Sequence, residues 1–305
     1  MNSLSMPLNP SQRIFWPFLI SSALVALLLG YKERWRELLH PSSLMDFKIM
    51  GLNLVLKAFV FPLILFSSFS VSVGALRVIR RWVDITPAAE ASPWVQSLTA
   101  TLIAFILNDF LRFLHHYLMH RTPLLKLLHR THHSALVLTP FTLFRAHPLE
   151  SLIAGARNII SLGLTFALYS FLFGKVINIY DFLGVNIFGF LFNATLSNLR
   201  HSPIPISFGL LEYIFISPRM HQIHHSSDPR HWNKNYGVAL SLWDQLVGSF
   251  YRPTQREAQS LSFGLHQEQT SETYKEATTW TGTLVPQLKN KKDEIYEDLS
   301  SYSLQ

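Results

Sequence analysis

Fourteen histidines and no cysteine define the side-chain chemistry open to this 305-residue chain. Twelve of the fourteen lie between His115 and His231. Two runs read His-x-x-His-His-Ser: His129, His132, His133 with Ser134, and His221, His224, His225 with Ser226. His116 and His120 precede the first run as His-x-x-x-His. On a helix, positions i, i+3 and i+4 share a face, with β-carbons about 5–6 Å apart, so each run presents its imidazoles in one direction. A neutral imidazole is the commonest nitrogen ligand for iron, zinc, copper and nickel, and eight histidines so grouped predict a metal site. A single pair at i, i+4 is readily explained as helix surface. Two identical triples plus a pair are not, because every buried imidazole needs its own hydrogen-bond partner.

The donor set narrows the chemistry. Without cysteine there is no disulfide, no thiolate metal site and no cysteine nucleophile, while the redox compartment stays open. Many imidazoles without an obvious carboxylate cluster can hold two redox-active ions such as Fe(II), with open coordination positions for oxygen. The reaction implied is oxidation of an unactivated C–H bond, which needs a dry channel that keeps water from the oxidant. A zinc hydrolase needs about three ligands, and His-Glu-x-x-His is absent. A membrane metal transporter would space its ligands along a pore inside the spans. A non-catalytic scaffold is the remaining rival. No Cys-x-x-Cys and no histidine pair in a haem-binding glycine context is present, so electrons must come from a separate donor.

These residues need elements to position them, and composition points to a membrane. Hydrophobic residues make up 49% and charged residues 15%, with mean hydropathy +0.20; soluble domains carry about 25% charged residues. The net charge of +7 and pI of about 9.6 fit anionic headgroups and the positive-inside pattern better than nucleic acid. Residues 14–31 form an uncharged run between Arg13 and the cluster Lys32, Arg34, Arg36, read as a retained anchor rather than a signal peptide. Residues 49–76, interrupted by Lys57 and Pro62 and ended by Arg77, Arg80 and Arg81, form a second apolar run. Residues 87–93 are a loop by composition. A third span, 94–114, leads into the histidines and contains Asp109, expected to face the interior near His116 or a partner of the ligands rather than lipid.

Thr122–Pro123 and Ser217–Pro218 suit the starts of short helices carrying the two triples. His147, in FRAHPLE, is a lone loop histidine and reads as structural more readily than as a ligand. Residues 151–173 and 177–196 suit a membrane hairpin with Gly174 and Lys175 near its tip, which returns the chain to one side. Both triples and His201 then share a membrane face, and the loop charges make that face cytoplasmic. The predicted fold is all-α: a polytopic membrane helical bundle of about 4–5 spanning helices with a cytoplasmic histidine-rich metal-binding cap. Residues 1–93 would be N-terminal anchor helices, 94–253 the catalytic domain, and 254–305 a polar C-terminal extension, partly disordered. A bacterial inner membrane and an endoplasmic reticulum both fit.

The segments DFLRFLHHYLMH, FRAHPLE, SNLRHS, FISPRMHQIHHS and NKNYGVALSLWDQLVGSFYRP together resemble the membrane-bound fatty acid hydroxylase and sterol desaturase superfamily, over roughly residues 94–253. The resemblance implies two irons bound by His116, His120, His129, His132, His133, His201, His221, His224 and His225, with Asp109 and Asp244 as acids supporting the ligands. It further implies O2 as co-substrate and a lipid drawn from the bilayer: a sterol, a fatty acyl chain or an ether lipid. The separate donor would be cytochrome b5-like, or ferredoxin-like with a reductase, and no nucleic acid is involved. Leu196 and Pro203 stand where many relatives have histidines, which leaves His201 as the one histidine of that region. Tyr117 stands where an arginine commonly follows the first histidine of the pair.

Overall fold

The computed structural model describes residues 35–176, 199–202, 204–265 and 270–284. The expected spans at 14–31 and 177–196, with Leu196 and Pro203, lie outside the described residues. Three long helices form the body. Helix α1, Pro41–Trp82, starts with the His40 ring accepting from the backbone N–H of Ser42, and it ends on Arg80 and Arg81, cations suited to a helix C-terminus. Its 42 residues reach about 63 Å, roughly twice a hydrocarbon core, so its first turns extend into the cap. Helix α2, Pro93–Arg121, carries the expected third span and the first histidine pair without a break. After α3, Pro123–His133, comes α4, Pro148–Phe173, which stops at Gly174 in the left-handed region (φ +65°).

Helix α4 packs against both α1 and α2. Gly163 permits the close approach to α1: a β-carbon there would lie 2.6 Å from Val71 and 2.8 Å from the Ser68 carbonyl. Against α2, Ala100, Tyr169 and Phe173 form a small core, and the Tyr169 hydroxyl bonds Gln96 at 3.0 Å. At the far end the Ala88 N–H donates to Leu172 (2.8 Å) and Lys175 to the Ala89 carbonyl (2.6 Å). The start of α1, the end of α2 and the start of α4 therefore meet at one end, the histidine end. Helices α2 and α4 are long and apolar enough to cross a membrane, and only 22% of the most apolar window in each is buried inside the protein. A soluble core helix would be mostly buried; outward-facing apolar side chains suit lipid.

The cap is built from α3, α5 (Pro218–His224), α6 (Leu242–Val247), α7 (Gln255–Gln259), α8 (Ser271–Thr278) and α9 (Trp280–Leu284), joined by short 3-10 turns. Among the described residues there is no named strand, only bridges between Phe215 and Leu240 and between Ser226 and Phe263. Within the expected polar extension, the described residues as far as Leu284 close the back of the cap. Thr131 donates to the Thr283 carbonyl (2.8 Å), and Arg130 pairs with Glu276 (3.2 Å). Arg145, fully buried, joins three parts of the chain. Its guanidinium bonds Asp46 (3.0 Å) and the Ser42 carbonyl (2.9 Å) on α1, the Thr131 carbonyl (2.9 Å) on α3, and the Ala277 carbonyl (2.7 Å) on α8. Helix α8 thus gives a backbone carbonyl to a buried cation, a partner that composition alone could not reveal.

Candidate metal centre

All nine predicted histidines converge at the end of the bundle, and they converge as two groups. His116, His120, His129, His133 and His224 form one; His132, His201, His221 and His225 form the other. Within each group the candidate ligand nitrogens all lie within 4.8 Å of one another. Each triple is shared out. The i, i+4 pair His129 and His133 joins the five, while His132 crosses to the four; His221 and His225 join the four, while His224 crosses to the five. Helical phase explains the split: i and i+4 differ by about 40° around the axis, whereas i+3 lies on the other side of i by about 60°. One helical turn therefore serves two adjacent centres. The expectation that each triple points at a single target is corrected in this respect.

The outer nitrogens are fixed by the surrounding chain. His116 Nδ1 donates to the Tyr236 carbonyl (2.8 Å), His224 Nδ1 to the Lys234 carbonyl (2.8 Å), His132 Nδ1 to the Arg145 carbonyl (3.1 Å), and His129 Nδ1 to Glu150 Oε1 (2.9 Å). A proton held on Nδ1 leaves the Nε2 lone pair for a ligand bond. Among the described residues, the buried Nε2 atoms of His116, His129 and His224 have no hydrogen-bond partner. Burial, aided by neighbouring imidazoles, lowers His132 and His224 to about 3 and holds His133, His221 and His225 well below their ordinary value. All five are neutral at pH 7, the form that binds metal.

The group of four tests whether hydrogen bonds alone could hold the rings. Nε2 of His201 lies 3.2 Å from Nε2 of His132 and 3.1 Å from that of His221, which lies 3.2 Å from that of His225. His132 has its proton on Nδ1, so His201 Nε2 would have to donate to it. The same single proton would then have to serve His221 as well. A shared cation resolves the crowding. With metal–nitrogen bonds of about 2.0–2.1 Å, adjacent ligand nitrogens stand roughly 2.8–3.4 Å apart in octahedral or tetrahedral arrangements, a range that contains the observed spacings. His120 and His133, in the group of five, show the same 3.2 Å contact. The residues fit bound metal ions.

The elements around the histidines follow from local sequence. Ser217 caps α5 by accepting from Met220 N–H, whereas Thr122, at the matching place before α3, makes no side-chain cap bond. Asn233 and Asn235 adopt left-handed backbone (φ 60° and 54°), which asparagine tolerates better than most residues. They shape the loop whose Lys234 and Tyr236 carbonyls face the histidines. Asn235, fully buried, donates to the Met220 and Tyr251 carbonyls at 3.0 and 2.8 Å.

The two acids predicted to support the ligands act on that loop and touch no histidine. Asp109 accepts from the N–H groups of Ala239 (2.9 Å) and Leu240 (3.0 Å) and from the Trp243 indole (3.0 Å). Asp244 accepts from the N–H groups of Tyr236 and Gly237, each at 2.7 Å, and from Ser249; burial raises it to about 6. A β-carbon at Gly237 would lie 2.6 Å from that carboxylate, so the loop needs glycine here. Asp109 and Asp244 thus support the ligands through the loop backbone, one step removed from the rings. The acid that does contact a ligand is Glu150, in the first turn of α4, whose role the sequence alone leaves open. Its signal was the Arg-x-His-Pro-x-Glu spacing. His147 of the same segment caps α4 by accepting from Leu149 N–H. Tyr117 stacks on Phe113 (5.9 Å) and meets Tyr236 edge-on (5.4 Å).

Comparison with known proteins gives a consistent result. Residues 101–249 match the fatty acid hydroxylase family model. Ornithine lipid hydroxylase OlsE of Rhizobium tropici is 29% identical over 152 residues, covering 50% of this chain and 42% of that protein. The Delta(7)-sterol 5(6)-desaturase of Eremothecium gossypii is 27% identical over 162 residues, 52% of this chain and 40% of its own length. Human lathosterol oxidase is 27% identical over 164 residues, 52% of this chain and 48% of its own length. The chain thus spans about half or less of the length of these relatives. No solved structure matches the chain.

Proposed function

Because residues 101–249 belong to the fatty acid hydroxylase and sterol desaturase superfamily, we propose that the chain is a membrane-bound, O2-dependent di-iron oxidoreductase. It hydroxylates or desaturates an unactivated C–H bond of a lipid. The observation that carries this reading is the division of nine histidines into a five and a four at the end of apolar helices. Iron bound in the two groups would supply O2 activation for removing hydrogen from an aliphatic carbon. The chain's own part is to orient and to exclude. The carbonyls of Lys234, Tyr236 and Arg145 and the Glu150 carboxylate hold four ligand rings in the tautomer that points Nε2 inward. Burial keeps the rings neutral and keeps water out.

Helices α2 and α4 each have one end at the histidines, so a lipid lying along them has its reactive segment brought to the centre. The substrate class is a sterol, a fatty acyl chain or an ether lipid; ornithine lipid and sterols appear in the names of relatives. Electrons come from a separate cytochrome b5-like or ferredoxin-like donor, with the centre on the cytoplasmic face of an inner membrane or endoplasmic reticulum. Nine clustered imidazoles favour this reading over a zinc hydrolase, which needs about three ligands and a water. Clustering at one end of the helices also speaks against a transporter, whose ligands would line the spans.

Comparing the lipids of cells with the intact chain and with His132→Ala, with and without oxygen, tests the reading. The expected result is a lipid that gains one oxygen atom or loses two hydrogens, only with the intact chain and only with O2. Metal uptake into sealed vesicles without O2 consumption would overturn it.

A further inference from the structure

Two segments of the cap turn their apolar side outward. The turn Gly209–Tyr213, continued by Ile214 and Phe215, lies beside α6. Phe215 bridges Leu240, the Ser241 N–H donates to the Ile214 carbonyl (2.9 Å), and the Gln245 amide donates to the Tyr213 carbonyl (2.7 Å). The two acids of these segments face inward. Glu212 is fully buried and paired with Arg219 (2.6 Å) and Arg252 (3.1 Å); Asp244 is fully buried on the loop described above. Leu210, Leu211, Ile214, Leu242, Leu246 and Val247 all face outward, Leu210 being 80% and Leu246 71% exposed. Single exposed leucines are ordinary on a protein in water. A contiguous patch with its acids turned inside is not.

This apron continues the outward face of α2. Trp243 meets Phe110 edge-on at 5.1 Å and lies 6.4 Å from Phe113. Helix rise gives its depth. Trp94, 68% exposed, stands at the other end of α2, and Phe110 follows it by about 24 Å of helix, His116 by about 33 Å. The hydrocarbon core is about 30 Å thick. With Trp94 at one interface, the apron falls a few ångströms inside the other, within the roughly 5–10 Å that interfacial amphipathic elements bury. Its rim has the chemistry of that zone: Tyr213 and Trp243 are amphipathic aromatics, and the Arg252 guanidinium lies 4.6 Å over the Tyr213 ring.

We propose that residues 209–215 and 242–247 form an amphipathic apron embedded in the acyl–headgroup boundary of the leaflet at the histidine end, with a lipid surface as its partner. The apron fixes the depth of the histidines, which stand at headgroup level above it. The inference rests on α2 crossing the membrane, and the test separates the two. Since the chain has no cysteine, Leu210→Cys, Leu246→Cys and, on α2, Leu102→Cys can each carry one nitroxide label in the full chain, reconstituted in phosphatidylcholine vesicles. Collision of the label with oxygen, which concentrates in the bilayer, is compared with collision with a water-soluble nickel chelate. Oxygen dominates at all three positions if the apron is bedded in lipid, with Leu210 and Leu246 shallower than Leu102. Nickel dominating at Leu210 and Leu246 but not at Leu102 overturns the apron and leaves the span standing. Nickel dominating at all three overturns both. Labels at Leu210 and Leu246 that are immobile and shielded from both reagents overturn the apron in favour of a protein cover, by another part of this chain or a second copy.

Discussion

The two histidine groups are built from the same pieces and held in different ways. Three rings of the five are pinned from outside, His116 and His224 by carbonyls of the Asn233–Tyr236 loop and His129 by Glu150. In the four, His132 is pinned by the Arg145 carbonyl, and the inner nitrogens run in sequence from His132 through His201 to His221 and His225. His201 is central to that sequence, and it sits on a three-residue turn. The difference teaches that a donor set can be fixed by the chain around it or by contacts among its own rings. The five belongs to the first kind and the four leans on the second.

That contrast can be broken by substitution, starting with the largest effect. His224→Ala and His132→Ala remove the residue that each triple sends across to the other group, and either reduces lipid oxidation to background in a turnover assay. His201→Ala is next. It empties the four while leaving the five loaded, so metal analysis of purified protein falls by one ion per chain; loss of both would show the groups to be one cooperative site. Glu150→Ala acts in the opposite place. Outer hydrogen-bond partners of metal ligands are worth about 10–100-fold in affinity, so titration shows weakened binding at the five alone, with Glu150→Gln closer to the intact chain because the amide oxygen still accepts from His129.

Acid provides the mildest test, since it acts on both groups together. His132 and His224 titrate at about 3 in the fold, against about 6.5 in the unfolded chain. Between these values the unfolded chain takes up protons that the folded protein refuses. The metal-free protein therefore keeps its stability above about pH 6.5 and loses roughly 1 kcal/mol per pH unit for each such histidine as pH falls towards 3. Melting temperatures between pH 7.5 and 4.5 measure this, and a flat profile would contradict the buried neutral state.

Much of the site was legible because its chemistry is local. His-x-x-His-His on a helix brings imidazoles together at short range, and all nine predicted histidines meet in space. What stayed hidden depends on contacts between distant parts of the chain. Helical phase splits each triple locally, but which distant histidines complete each group is set only once the helices are packed together. Glu150 becomes a partner of His129 only when α4 returns to the cap, and sequence does not reveal the loop through which Asp109 and Asp244 act. The same holds for Ala277 and Thr283, which lie in a stretch of polar composition and give their carbonyls to Arg145 and Thr131.

The most direct test of the interleaved two-centre arrangement is Mössbauer spectroscopy of the full chain loaded with iron-57. Five-histidine and four-histidine surroundings predict two iron environments of equal weight, one of which disappears in His201→Ala. A single environment, at one iron per chain, would contradict it.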